Sequence, residues 1–311
     1  MPRLDAITLK QLRTLDAVAS QGSLTAAAAR IGQTVPAIHS QIKILEKSVG
    51  VPILVRPLVA GQMELTAEGI EVLRAAKRIE GILSQAADQL RARATGQIGQ
   101  ITISVVSTSK YFAPNLVRIL SKSEPEIGVS LRVGNRESVI SDLDEGRCEL
   151  AIMGRPPRVP VVHSVPLGPH PHGVILPPDH PFGKEDGFDP ALLVKETFIS
   201  REEGSGTRVL MQRFFDRFEE GPVARIVEME SNETIKQSVR AGLGIALLSL
   251  HTVHEEVAQG RLALLRGPGL PIVRHWYLVW SAHVERSIVA KRISDSIEAL
   301  SGTFLPGAVS G

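Results

Sequence analysis

The sequence has almost no cysteine, few aromatics and no long apolar run, and each shortage removes a class of function. Cys148 is the sole cysteine among 311 residues, so no internal disulfide can form and a reducing compartment is expected. Its setting in CELAIM marks a small buried hydrophobe rather than a reactive thiol. Aromatics make up 4% of the chain, too few for the stacking platforms that hold single-stranded nucleic acid. The longest apolar runs, such as IALLSL, fall far short of the roughly 18 residues of a membrane span. The opening MPRLDAITLKQL has no apolar signal core; a cytoplasmic protein with no membrane partner is the expectation. Neither the Gly-Lys-Ser/Thr ending of a triphosphate loop nor a G-x-G-x-x-G string is present. Ser205 sits in EGSGT, which is not the G-x-S-x-G elbow of a hydrolase. No nucleophile is paired with an acid or base, so an enzyme is not expected. His170 and His172 in GPHPHG lack a third ligand at metal spacing; the stretch reads as an exposed Pro-rich loop, and no metal is expected.

What is present is a globular composition, 43% hydrophobic and 22% charged, with a formal charge of +2. The length suggests two or three domains. Residues 1–95 hold 12 Lys+Arg against 8 Asp+Glu, a net +4, and the rest hold 23 against 25, a net −2. A basic N-terminal part would be drawn to a polyanion, although ordinary scatter of solvated charges accounts for the count equally well.

From Leu9 to Val49 the apolar positions recur at three and four. Leu9, Leu12 and Leu15 open one face, Leu24, Ala27, Ala28 and Ile31 a second, and Val35, Ile38, Ile42, Leu45 and Val49 a third. Three short helices with a shared core are predicted. Ser23 and Thr34 stand where N-caps belong, and Pro36 falls in the first turn of the third helix, where a missing N–H costs nothing. The Ala26–Ala29 run allows close packing of the second helix on the third, as a helix-turn-helix requires. The third helix's apolar stripe leaves Pro36, Ala37, His39, Ser40 and Lys43 outside it, a small, weakly charged face able to enter a major groove. A helical hairpin on an enzyme surface fits the same pattern.

LVAGQMEL then reads as a strand-turn-strand with Gly61 at its tip. Thr66 caps a long helix whose apolar positions Ile70, Leu73, Ile79, Leu83, Ala86 and Leu90 run to about Ala94, roughly 40 Å of helix. A stripe that long without a core beneath it pairs with its own copy or lies across the chain's larger domain. Beyond TGQIGQ the texture changes to short β-rich runs alternating with helical ones, which indicates parallel sheets with crossover helices. The Pro-rich RPPRVPVVHSVP and the later GPGLP look like two crossings between subdomains. The boundaries are accordingly 1–65 for the helical domain, 66–95 for the linker helix, and 96–303 for an α/β domain. That domain divides into 98–162 plus 270–301 around an insertion of 163–269.

In open α/β folds ligands gather at strand carboxyl ends and helix N-termini. VVSTSKYFAP offers Ser107, Thr108, Ser109 and Lys110 there, as an anion cradle or as plain caps. SREEGSGTR is a Gly-rich turn flanked by Arg201 and Arg208, with Glu202 and Glu203 expected to repel an anion unless turned away. GNRE and MGRPP each set an arginine, Arg136 and Arg155, just past a strand, and Asn232 in SNET adds another helix start.

On the stretch LKQLRTLDAVASQGSLTAAAARIGQTVPAIHSQIKILEKSVGVPILVR, followed by LTAEG, the chain resembles the LysR-type transcriptional regulators over essentially its whole length. STSKYFAP, GNRE, AIMGRPP, SREEGSGTR, ETIKQSV and GLPIVRHWYLV are similar to the subgroup that activates RuBisCO and Calvin-cycle operons. The resemblance implies a mainly α winged helix-turn-helix with a long linker helix, and an α/β effector domain of two periplasmic-binding-protein-like subdomains. It implies double-stranded DNA of interrupted dyad symmetry as partner, a homodimer through the linker helix assembled into a homotetramer, and RNA polymerase as a further partner. It implies no resident cofactor, but a small-molecule coinducer, a phosphorylated metabolite such as a sugar phosphate, or NADPH. By position, Thr34, Val35, Pro36, His39 and Ser40 would face the groove, with Arg30, Lys43 and Arg56 near phosphates. Ser107, Thr108, Ser109, Lys110, Asn135, Arg136, Arg155, Arg201, Thr207 and Asn232 would meet the effector. Many members carry Ser-Arg where this chain has His39-Ser40, and wings richer in arginine. The competing readings are a regulator of the same fold in sulfur or aromatic metabolism, and an α/β solute-binding protein or enzyme with a helical adaptor.

Overall fold

The computed structural model describes residues 3–55, 63–94, 96–184, 186–218 and 225–307. Two compact units divide the chain, Met1–Ala87 with Asp144–Arg147, and Asp88–Leu143 with Cys148–Gly311.

In the first unit, α1 (Leu9–Gln21), α2 (Leu24–Ile31) and α3 (Val35–Val49) each begin at a capped turn. Thr8 and Gln11 satisfy each other's backbone N–H in a capping box. Ser23 accepts from the Ala26 N–H at 3.1 Å and Thr34 from that of Ala37 at 3.4 Å. Gly32, at φ 65°, turns α2 into α3 in a left-handed conformation that a side chain would strain. Leu15, Val18, Ala27, Ile38, Ile42 and Leu45 meet in a core that also takes in Ile53 and Ala76. A short antiparallel pair follows, β1 (Leu54–Val55) with β2 (Glu64–Leu65). The predicted tip at Gly61, and Arg56, lie outside the described residues.

The long helix α4 (Ala67–Ala94) starts on the Thr66 cap, which accepts from the Gly69 N–H at 2.9 Å. Gly69 is obligatory there, because a Cβ would lie 2.1 Å from the Ile53 carbonyl oxygen. Leu73 and Ala76 face the three-helix core. Ile70, Ile79, Ile82, Leu83 and Leu90 stay exposed, so within its own protomer α4 covers only part of its apolar stripe. No helix among the described residues is long and apolar enough to cross a membrane.

The second unit runs β3 (Gly99–Val106), a 3-10 turn Ser107–Tyr111, α5 (Ala113–Ser123), β4 (Ile127–Gly134), α6 (Arg136–Asp144), β5 (Leu150–Met153) and β6 (Val162–Leu176). It continues with α7 (Pro190–Leu193), β7 (Thr197–Arg201), α8 (Gly206–Phe215), β8 (Arg225–Met229), α9 (Asn232–Arg240) and β9 (Ala246–Ser249). It closes with α10 (His254–Ala258), β10 (Ala263–Leu264), β11 (Ile272–Ser281) and α11 (Ile288–Ala299). β3 lies parallel to β4 and β5, and β7 parallel to β8, as crossover helices require.

The expectation of wholly parallel sheets does not hold. β6 and β11 pair antiparallel from Ile272↔His172 to Ser281↔Val162 and join both halves in one mixed sheet, ordered β10-β6-β11-β5-β3-β4 with β9 also on β6. The stretch read as an exposed Pro-rich loop is therefore strand, and His170 and His172 are buried, at 4% and 5% exposure. Proline is tolerated because residues 162–171 of β6 pair on one side only, with β11, so ring nitrogens can face the other. Leu167 belongs to the core around Trp276, whereas Val174 and Leu176 belong to the core around Phe198 and Phe214. The chain thus passes between subdomains inside β6, beyond the 162/163 boundary suggested by its prolines. Cys148 is buried, its thiol pushed up to about 12 by desolvation.

Candidate functional site

Two surfaces carry the residues expected to act. On the first unit, α3 buries Ile38, Ile42 and Leu45 and presents Thr34, Val35, Pro36, His39, Ser40 and Lys43 to solvent. Helical period alone produces this division, since the exposed positions interleave with the buried ones at steps of three and four. Arg30, in the last turn of α2, is exposed and donates to the Ser20 hydroxyl. Lys43 Nζ lies 2.7 Å from Glu46. Burial of Glu46 works against its charge, but Lys43 and the backbone N–H groups of Ile53 and Leu54 outweigh it and hold the carboxyl below its usual range. Those N–H bonds, 3.1 and 3.4 Å, fasten the end of α3 to β1. Glu46, which the sequence reading passed over, is thus the residue that fixes α3 against the strand pair.

On the second unit, a cavity of 390 Å³ lies where strands β3, β4, β5 and β7 end and helix α8 begins. Of the ten residues expected to meet an effector, Ser107, Thr108, Asn135, Arg136, Arg155, Arg201 and Thr207 line it. Ser109, Lys110 and Asn232 do not. The tight 3-10 turn after β3 carries Ser107 and Thr108 to the cavity, sends Ser109 into the interior and leaves Lys110 exposed, 5.6 Å over the Tyr111 ring. Asn232 stands behind the wall. It accepts from Arg201 Nη1 at 2.6 Å and reaches the Thr108 hydroxyl at 3.5 Å.

Of the arginines in the wall, Arg201 is the most fully paired and the least exposed. It is 3% exposed, and its Nε and Nη2 donate to the Glu202 carboxylate at 2.6 and 2.7 Å. Glu202, expected to repel an anion, instead neutralises the arginine beside it. Arg208 is drawn away by Glu228 and by the Arg201 carbonyl.

The remaining arginines differ. Arg136, Arg155, Arg158, Arg213 and Arg274 line the cavity, and among the described residues none is paired with a carboxylate. No Asp or Glu lines the cavity either. Arg136 donates only to backbone oxygen and sulfur, at Arg155, Pro156 and Met153. Burial, then Arg155 and Arg213, depress the Arg136 pKa; burial, then Arg155, Arg213 and Arg217, depress that of Arg274. These are cations crowded together in a partly dry space.

Arg158, Arg213, Arg274, His170 and His172 were not foreseen. Arg213 was legible, since Gly206, Leu210 and Arg213 fall on one face of α8. Arg274 and the histidines were hidden by taking β6 for a loop, which removed the strand that Arg274 pairs with, opposite His170. His170 stacks on Trp276 with ring centroids 3.7 Å apart, and its Nε2 lies 3.0 Å from the Ser249 hydroxyl. His251 accepts from the Trp276 indole N–H at 3.1 Å. Desolvation, with repulsion from neighbouring rings and Arg274, holds His172 at about 4; desolvation, with His254, holds His251 at about 4; and His170 is pushed well below its ordinary value. The cavity is therefore lined by the neutral imidazoles of His170 and His172 as well as by guanidinium groups, with Trp276 packed behind His170. Among the described residues no cluster of three or more His, Cys, Asp or Glu could hold a metal ion.

Two family models match the chain. "Bacterial regulatory helix-turn-helix protein, lysR family" matches residues 9–70, and "LysR substrate binding domain" residues 94–301. The HTH-type transcriptional regulator CbbR of Cereibacter sphaeroides is 56% identical over 308 residues, covering 99% of both chains. The RuBisCO operon transcriptional regulator of Allochromatium vinosum is 40% identical over 275 residues, covering 88% of this chain and 90% of its own. Among solved structures, the regulatory domain of Synechocystis PCC6803 CcmR in complex with 2-PG is 34% identical. It superposes with a TM-score of 0.61 over 65% of this chain and 97% of its own.

Proposed function

The chain belongs to the LysR family of bacterial transcriptional regulators, and from that premise we propose that it activates RuBisCO-operon genes when a phosphorylated metabolite or NADPH enters the cavity of its second unit. It is a regulator, not an enzyme. The observation that carries the effector class is the cavity wall, with five arginines that no described carboxylate neutralises and none lining it. A dianionic phosphate satisfies such a wall with bidentate, charge-assisted bonds, and Ser107, Thr108 and Thr207 add hydroxyls at a helix start. The neutral imidazoles of His170 and His172, with Val209 and Leu210, suit the uncharged body of the same ligand.

Output passes through α3. Its exposed Thr34, Val35, Pro36, His39 and Ser40 lie in the major groove of a duplex, with Arg30 and Lys43 at phosphates. The exposed stripe Ile79, Ile82, Leu83 and Leu90 on α4 pairs with a second copy, so two α3 helices meet two half-sites of a dyad, and pairs of dimers form the tetramer. The protein works in the cytoplasm, beside DNA and RNA polymerase. The ligand acts only through unequal affinity for the alternative arrangements of the assembly on DNA.

Thermal titration of the full chain tests the effector class. Sugar phosphates, 2-PG and NADPH are compared with aromatic carboxylates and sulfur compounds. A phosphorylated ligand at about 100 times its Kd adds about 2.7 kcal/mol. Stabilisation by an aromatic carboxylate alone would replace this reading with a regulator of aromatic catabolism.

A further inference from the structure

The cavity's unneutralised arginines stand on both sides of the passage between subdomains. Asn135, Arg136 and Arg155 follow β4 and β5 of the first subdomain, Arg213 is on α8 of the second, and Arg274 is on the shared strand β11. Around them the two halves already touch. The Glu137 N–H donates to the Gly204 carbonyl at 3.3 Å, Asn232 reaches Thr108 at 3.5 Å, and the Tyr111 hydroxyl donates to Glu233 at 3.1 Å. Gly204 takes a left-handed turn at φ 78° beside the Glu137 side chain, which a Cβ there would meet at 2.5 Å from its carboxylate oxygen and 3.2 Å from its Cβ. Glu202 is committed to Arg201 and Glu228 to Arg208.

We propose that these arginines form an electrostatic gate: their repulsion opposes the close arrangement of the subdomains, and a multiply charged anion stabilises that arrangement by acting as the missing counter-charge, with Arg213 the residue whose charge sets the balance. The proposal rests on the anion-site reading above and adds to it how the site is regulated. Arg213 and Arg155 are the two cations that bear on both Arg136 and Arg274. Arg213 is exposed and pairs with no carboxylate among the described residues, so its charge can be removed without uncovering a buried group. A side chain that merely gripped the ligand would, when neutralised, weaken binding and leave the ligand-free protein unchanged. A gate residue does the opposite to the free protein, because removing its charge partly imitates the ligand.

The test uses full-length Arg213→Gln and Arg213→Lys, with sodium pyrophosphate as the probe and melting followed by tryptophan emission. Both tryptophans, Trp276 and Trp280, belong to the second unit, so the signal reports that unit. In low-salt chloride buffer Arg213→Gln melts about 2–4 °C above wild type and its pyrophosphate shift is at least halved, while Arg213→Lys behaves as wild type. In 0.5 M NaCl, where the Debye length is only about 4 Å, the gap between Arg213→Gln and wild type narrows. If Arg213→Gln melts at or below wild type while losing its pyrophosphate shift, the gate is overturned and the anion site stands. If pyrophosphate shifts neither wild type nor Arg213→Lys, the anion site itself is overturned, and the gate with it.

Discussion

The outer face of α3 and the wall of the cavity are both proposed above to meet anions, yet they are built in opposite ways. On α3 one helix supplies almost every exposed residue, the side chains are small, and the nearby cations are engaged, Lys43 with Glu46 and Arg30 with Ser20. In the cavity the residues arrive from β3, β4, β5, β6, β7, α8 and β11, and five arginines face inward without carboxylates. The contrast runs against the net charges, +4 for residues 1–95 and −2 for the remainder. Net charge directs a domain at long range; the local arrangement of a few side chains decides what binds. A surface that slides over phosphates before reading bases needs modest, adaptable charge. A cavity that must hold one small polyanion needs concentrated charge.

The largest expected effect comes from the single cavity arginine that is fully paired. Arg201→Ala leaves the half-buried Glu202 without its partner and the buried Asn232 without its donor, and should destabilise the second unit by about 3 kcal/mol, read as a lowered melting temperature by tryptophan emission. An unchanged melting temperature would place Arg201 with the free arginines and dissolve the distinction. Next comes pH. His172 and His251 sit at about 4 against an ordinary 6.5, so the unfolded chain binds the extra protons. Their contribution is fully present above about pH 6.5 and is lost as pH falls towards 4, by up to about 3 kcal/mol for a buried imidazole. The first unit, whose sole histidine is the exposed His39, should not share this loss. Amide hydrogen exchange at pH 7 and pH 5 resolves the two units.

How much of each surface was legible follows from the same contrast. The α3 face was readable because a helix's exposed side is fixed by local period, and Ser23, Thr34 and Pro36 mark its ends. In the cavity the strand-end residues Ser107, Asn135, Arg136 and Arg155 were readable because strand ends collect ligands. Arg274, His170 and His172 were not. Their placement depends on a long antiparallel pairing of β6 with β11, and the prolines of β6 mimic a loop unless one knows that one side of the strand is free. Arg201 was legible but its pairing with Glu202 was not, since the commitment of a charge depends on side-chain geometry that residue type does not reveal.

A smaller effect separates reading from sensing. Ser40→Asp should cost duplex binding about 2–3 kcal/mol, through repulsion and a lost groove fit, with unchanged circular dichroism and an unchanged response to pyrophosphate. Smallest, Arg155→Ala should weaken sugar-phosphate binding by about 1.5–2 kcal/mol in calorimetry while leaving duplex affinity without ligand as it was. Either variant acting on the other's assay would show that the two surfaces are not separable.

The most direct test of the account is a fluorescence-anisotropy titration of the full chain on a RuBisCO-operon promoter duplex across a salt series, with wild type and Ser40→Asp side by side. The account predicts that wild-type affinity falls linearly in log Kd against log salt, as release of counterions requires, and that Ser40→Asp binds at least about thirtyfold more weakly at every salt concentration. Equal binding by the two proteins would contradict the assignment of α3 to the major groove.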